Sequence, residues 1–235
     1  MLSVTANLVF ISILVVVVPI ISFKNAPLFK KNVIPRFQVY LLGLFSQWAL
    51  GLTAVCVASL RYEKLSMIGL QNLSPSLFFR VTVVLAITIL LTWTILIFFQ
   101  FSGILKNETE AVRQLLPETR KEKLVAIFLL SPSAGICEEF IYRGYLLKVF
   151  LEVFHSDVAA WLLSSIVFGL AHSYQGYIGV LRASLVGFFL AFPVLHYESL
   201  YPSMLVHFGI DALTLAWVGP RFWAPRKKSG SLSSE

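Results

Sequence analysis

Apolar stretches separated by short polar joints organise this chain. Seven runs stand out: Leu8–Phe23, Phe37–Leu60, Leu77–Leu105, Leu124–Phe150, Val158–His172, Tyr177–Leu195 and Tyr201–Gly219. Each approaches the ~20 residues a helix needs to cross a bilayer, the first and fifth being short. Pro35, Pro75, Pro117 and Pro202 fall at their edges, where proline interrupts a helix least. The pattern predicts an all-α membrane protein, a bundle of about seven transmembrane helices. No internal repeat is visible.

Composition agrees. Hydrophobic residues make up 57% of the 235 and charged residues 13%, against about 25% charged in a soluble domain. Mean hydropathy is +0.81. A soluble core cannot bury that much apolar surface, so the excess must face lipid. The net charge of +7 is no sign of nucleic-acid binding, because the basic residues cluster between the runs. Four lie in Lys24–Arg36, five in Lys106–Lys123 and four in Arg221–Lys228. With seven crossings these clusters share one side, and the positive-inside bias makes it the cytoplasm. The expectation is an integral multi-pass protein of a bacterial cytoplasmic membrane, N-terminus outside and C-terminus cytoplasmic. The first run lacks a preceding positive region and reads as a retained helix, not a cleaved signal. Arg182, early in the sixth run, is expected to snorkel to the cytoplasmic face.

The chain divides into N-terminal hydrophobic helices (1–105), an interfacial cytoplasmic segment (106–123), site-bearing helices (124–219) and a disordered basic tail (220–235). Cys56 and Cys137 lie in apolar runs and suggest no disulfide framework.

Ionisable residues inside a membrane are costly and point to function. The stretch "ICEEFIYRGY" puts Glu138, Glu139 and Arg143 into the fourth run. "VFGLAH" sets Phe168 and His172 at i, i+4, and "HFGID" does the same for His207 and Asp211, so each pair shares a helix face. Glu139 and Arg143 are also i, i+4, with the acid N-terminal. A buried arginine keeps its charge and needs an anion, and Glu139 is the nearest. Glu138 points about 100° away around the helix. Facing a small wet cavity, it would act as a general base for water. His172 would share that water, and His207 would donate to a developing oxyanion.

Glu-Glu-x-x-x-Arg, Phe-x-x-x-His and His-x-x-x-Asn/Asp, in this order on successive hydrophobic helices, resemble the CPBP family of intramembrane proteases. That family includes the type II CAAX prenyl endopeptidases and the bacterial Abi, or bacteriocin-processing, proteins. The resemblance covers about Leu124–Gly219; the first three runs match only as hydrophobic helices. It implies a glutamate-dependent endopeptidase with an interior hydrophilic cavity. It also implies Glu138 as water-activating base with His172 assisting, His207 and Asp211 on the oxyanion side, and Glu139 with Arg143 in support. The implied partners are a membrane-associated peptide or protein substrate and the lipid bilayer, with CAAX-type or other C-terminal processing as the reaction. Members that process prenylated proteins carry Asn where this chain has Asp211, and an ionised Asp cannot donate a hydrogen bond.

Plainer readings stand beside these. Glu139 and Arg143 form a packing pair, a membrane histidine commonly bridges helices, and Phe168 walls the site. Cys137, in apolar surroundings, is an inert thiol. His155 and His196 read as loop residues. No cofactor is expected, with zinc on Glu138, His172 and His207 as the alternative; no His-Glu-x-x-His helix is present to support it. A non-catalytic immunity or scaffold protein on the same fold is the alternative function. A proton-relaying transporter is a third, disfavoured by the lack of repeats. One conflict remains: straight helices place His172 near the cytoplasmic end of the fifth run and His207 near the outer end of the seventh.

Overall fold

The computed structural model describes residues 2–30, 34–105, 113 and 115–218. Within them are seven helices and no strands. Helix α1 covers 2–30, α2 Arg36–Arg61, α3 Pro75–Phe101, α4 Arg120–Phe154, α5 Asp157–Ala171, α6 Gly176–Tyr197 and α7 201–218. Each matches one predicted run. Five (Val4–Pro27 within α1, most of α3, all of α2 and α4, and α6 with its preceding turn) are long and apolar enough to cross a membrane. Asp157–Ala171 remains the short apolar helix that its sequence suggested. The first run is longer than expected.

Local chemistry fixes the helix ends. Pro35 caps α2, Pro75 opens α3 behind the Ser74 cap, and Pro202 sits in the first turn of α7. Thr119 and Glu122 form a capping box at the start of α4, which satisfies two otherwise orphaned backbone donors. That box starts the fourth helix at Arg120, four residues before the expected Leu124. Of the expected interfacial segment, 106–112 and 114 lie outside the described residues, as does the tail 220–235. Of the described part, the Leu115 carbonyl accepts from Tyr40 Oη at 2.8 Å and Leu116 packs with Trp93. His196 belongs to the last turn of α6, not to a loop, while His155 caps α4 in the left-handed region.

Three ion pairs, two at one end and one at the other, set α2 parallel to α4. Arg36 reaches Glu118 at 2.7 Å and Glu122 at 3.5 Å at one end, and Arg61 pairs with Glu152 at the other. Asn7 of α1 accepts from Tyr145 Oη of α4 at 2.8 Å, both side chains being buried. The main core gathers around α4 and takes in Phe10, Leu14, Ala54, Ile68, Tyr145, Leu146 and Leu200.

The joints after α2 and α6 resolve the depth conflict. The turn Leu65–Ile68 ends at Gly69 in the left-handed region (φ 95°), which glycine adopts without cost. Gly69 O accepts from Leu200 N at 2.6 Å, and Leu70 pairs with Ser199 in a single antiparallel bridge. Ile68, Ser199 and Leu200 are fully buried. Both joints press on Gly144, where a Cβ would lie 3.1 Å from the Ile68 carbonyl and 3.1 Å from Leu200. Gly144 precedes the last residue of α4 by ten positions, so α7 begins about 15 Å short of that end. His207 therefore starts deep in the bundle, not near its outer edge.

Candidate active site

The site forms where α4, α5 and α7 meet. Small residues of α4 (Ser131, Ser133, Ala134, Gly135) are buried against its neighbours, as in membrane helices that approach closely. A Cβ on Gly135 would lie 2.7 Å from the Met204 carbonyl and 3.0 Å from Phe208 N. This near-contact of backbones brings His207 against Glu139. From Phe140 to Leu146 the helix widens into a π-helical segment, a deviation that often accompanies functional sites.

Glu139 is fully buried and its Oε1 has two donors. Arg143 Nη1 lies at 2.9 Å and His207 Nδ1 at 2.7 Å. Arg143, also buried, places its guanidinium carbon 4.0 Å from the centre of the Phe168 ring, a cation–π contact. The Phe168 ring packs edge-on to Tyr142 and tilts against His172, with centroids 5.1 and 4.7 Å away. Gly187 of α6 leaves space for this pair, since a Cβ there would lie 2.7 Å from Arg143 Nη2 and 2.9 Å from Phe168.

Glu138 points to the other side, as the 100° offset requires. Its Oε1 accepts from Gln47 Nε2 of α2 at 3.1 Å. Its Oε2 has no hydrogen-bond partner among the described protein atoms. It faces His172 Nε2 at 3.8 Å and His207 Nε2 at 4.0 Å. Both rings are held from behind. His172 Nδ1 lies 2.9 Å from the Phe168 carbonyl, which can only accept, so Nδ1 carries the proton. His207 Nδ1 donates to Glu139 in the same way, a second contact that fixes the tautomer. Asp211 Oδ2 lies 3.7 Å from His207 Nε2. Asp211 thus stands on the Glu138 side of the ring, and the orienting contact on Nδ1 comes from Glu139.

The arrangement gathers every site residue named from sequence: Glu138, Glu139, Arg143, Phe168, His172, His207 and Asp211. Sequence reasoning missed Gln47, although a lone amide inside "LFSQWALG" carries the same signal as a buried acid. It also missed Glu139 as the partner of His207, because nothing in the chain pattern registers α4 against α7. Cys137 is buried beside Gly51 of α2, where a Cβ would lie 3.2 Å from its sulfur.

Among the described residues no group of three or more His, Cys, Asp or Glu is placed to hold a metal ion. The Glu138–His172 and Glu138–His207 separations of 3.8 and 4.0 Å exceed the roughly 3.3 Å between ligands of a tetrahedral site with ~2.0 Å bonds. Both separations are also too long for direct hydrogen bonds between the groups. Size alone does not locate this centre. A cavity of about 540 Å³ lies elsewhere, between α3, α5 and α6, lined by Leu77, Arg80, Trp161, Phe189 and Tyr197 among others.

Membrane-length helices enclosing a cluster of acids and histidines define an integral membrane protein with an interior polar site. The model of the family described as "Type II CAAX prenyl endopeptidase Rce1-like" matches residues 120–213. Over this segment, which contains Glu138 through Asp211, the chain is similar to that family. No curated protein and no solved structure matches the chain.

Proposed function

We propose that this protein is an intramembrane endopeptidase that hydrolyses a peptide bond at or near the membrane surface by glutamate-activated water. CAAX-type or other C-terminal processing is the reaction class. One observation carries the reading: Glu138 Oε2 faces the Nε2 atoms of His172 and His207 at 3.8 and 4.0 Å, with each ring's Nδ1 already engaged.

A water in that gap donates one hydrogen to Glu138 Oε2 and the other to His172 Nε2. As Glu138 takes the proton, the water oxygen bonds to the scissile carbonyl carbon. The carbonyl oxygen becomes an oxyanion. His207, with Glu139 at one nitrogen and Asp211 near the other, donates to it from Nε2–H as an imidazolium. Glu138 then passes its proton to the departing amine nitrogen, the C–N bond breaks, and the carboxyl product forms. Glu139 and Arg143 hold His207 and the π-helical segment in place. Gln47 holds Glu138 Oε1, so its free oxygen stays aimed at the gap. The positive clusters favour an N-terminus outside and a C-terminus in the cytoplasm. The start of α4 and the His172 end of α5 then lie toward the cytoplasm.

No step in this scheme uses a metal, and the rate should survive long chelation; activity lost on zinc removal and restored by zinc would overturn that part. The reading as a whole is tested by comparing termini of membrane proteins from cells carrying the parent or Glu138→Gln at equal abundance. New termini that depend on Glu138 are expected. Identical terminal profiles would contradict it.

A further inference from the structure

The cavity of about 540 Å³ between α3, α5 and α6 takes no part in the proton-transfer scheme. Its volume is that of a small-molecule site. Val81, Val84 and Leu85 of α3 form one wall, and Phe188 and Phe192 of α6 form another. Trp161 of α5 closes the third side, its ring stacked on that of Phe188 with centroids 4.2 Å apart. Trp161 Nε1 donates to the Phe188 carbonyl at 2.6 Å, so the one polar atom of the indole is used within the protein. Val84 and Phe192 are exposed, and the cavity is therefore a groove open sideways to the surroundings of the bundle, which are hydrocarbon.

The groove is polar at one end only. The Leu70–Ser199 bridge brings the start of α3 beside the end of α6, and there Arg80, in the second turn of α3, and Tyr197, the last residue of α6, line it. At the other end Thr88 donates its hydroxyl to the Val84 carbonyl at 2.9 Å, which leaves that end without a free donor. From Leu77 to Thr88 the lining runs eleven positions along α3, about 16 Å at the helical rise. That is close to half of the ~30 Å hydrocarbon core, the depth of one leaflet. Arg80 is exposed, and its Nε reaches only the Ser76 carbonyl of its own helix, at 3.4 Å. No ion pair joins it to a carboxylate among the described residues. Glu198, the acid that follows α6, accepts from Gln71 Nε2 at 3.4 Å. A guanidinium keeps its charge and matches phosphate in geometry.

We propose that this groove binds one anionic phospholipid of the bilayer, with an acyl chain between α3, α5 and α6 and the headgroup phosphate against Arg80. Both halves of the site are needed for that assignment. A soluble anion has no use for a leaflet's depth of apolar wall, and an uncharged lipid has none for Arg80. The site is separate from the acids and histidines, and the proposal is independent of the proteolytic reading. The two regions share α6, which turns Phe188 to the groove and Gly187 to Arg143 and Phe168. The lipid therefore backs a helix that walls the candidate active site without entering it.

The test places the full chain in phosphatidylcholine nanodiscs doped with a small fraction of lipid carrying brominated acyl chains. Bromine quenches a tryptophan that it touches, and the emission missing from Trp161→Phe identifies the Trp161 component. Brominated phosphatidylglycerol should quench that component at about fivefold lower mole fraction than brominated phosphatidylcholine, the effect of one arginine on an anionic lipid. Arg80→Gln should bring the two lipids together. Val84→Phe, which puts a ring into the groove from an exposed position, should weaken quenching by both. Equal quenching by the two lipids in the parent, or a preference that survives Arg80→Gln, would overturn the proposal. So would a Trp161 that neither lipid quenches, as a second copy seated on the groove would give. Displacement of the brominated lipid by an equimolar prenylated peptide would assign the groove to that peptide and overturn it equally. The comparison of the two lipids on total emission needs no substitution, so a variant that fails to fold does not shield the idea.

Discussion

Helices α2 and α4 have the same hydropathy over their most apolar windows, yet 22% of that window is buried in α2 and 50% in α4. The contrast extends to α1 and α3, each 17% buried, against 44% for α6. The N-terminal three helices spend their apolar residues on lipid: Phe23, Phe45, Phe79 and Phe98 are all strongly exposed. Helix α4 surrounds its charges with protein. Equal hydropathy therefore means two different things. In one region it measures affinity for the bilayer; in the other it insulates a polar site from it. Gln47 links the two regions at the site itself, since it leaves a largely lipid-facing helix to hold Glu138.

If that contrast is correct, single substitutions should fall into a wide range. Arg143→Ala stands at the top. It leaves the buried Glu139 with only His207 opposite it, and breaking a buried pair costs roughly 3–5 kcal/mol. Poor folding is expected, measured as lost thermal stability in detergent, with partial recovery in Glu139→Gln combined with Arg143→Met. A stable but inactive Arg143→Ala would move Arg143 from support into the chemistry. Gly187→Ala comes next, because its methyl collides with Arg143 and Phe168; overpacking of this kind costs about 1–3 kcal/mol. A fully stable Gly187→Ala would mean that the guanidinium has room to spare.

Gln47→Leu should be milder in stability, about 1 kcal/mol for one hydrogen bond. It frees the Glu138 carboxylate to rotate, so kcat should fall several-fold. Phe45→Ala, one helix position pair away in sequence but facing lipid, should change stability by no more than about 0.5 kcal/mol and leave the rate alone. If both changes in α2 behave alike, the helix is not divided as described.

Much of this organisation is legible in the chain. All seven helices follow from runs of apolar residues, and Glu138, His172 and His207 declare themselves because ionisable groups are costly in a membrane. What escapes is registration between helices. Periodicity orders residues along one helix and around its axis, but nothing in it says how deep α7 begins. That depth is set by tertiary contacts: the joints at Gly69 and Ser199 sinking onto Gly144. The same gap hides the Glu139–His207 bond, since 68 residues separate its partners. It also hides the reach of Arg182 back to Gln175, because a side chain seven positions away meets it only through the turn that starts α6. Asp211 could be paired with His207 by spacing alone, but not placed at Nε2.

The central claim is that Glu138 takes a proton from water while the rest of the site holds it in position. Glu138→Gln preserves shape and the contact with α2 and removes the base. The direct measurement is the single-turnover rate of this variant, purified and reconstituted in lipid beside the parent, with unfolding followed on the same samples. The account predicts a rate lower by ~10²–10⁴ with stability close to the parent's. A folded Glu138→Gln protein that cleaves at near-parental rate would contradict it.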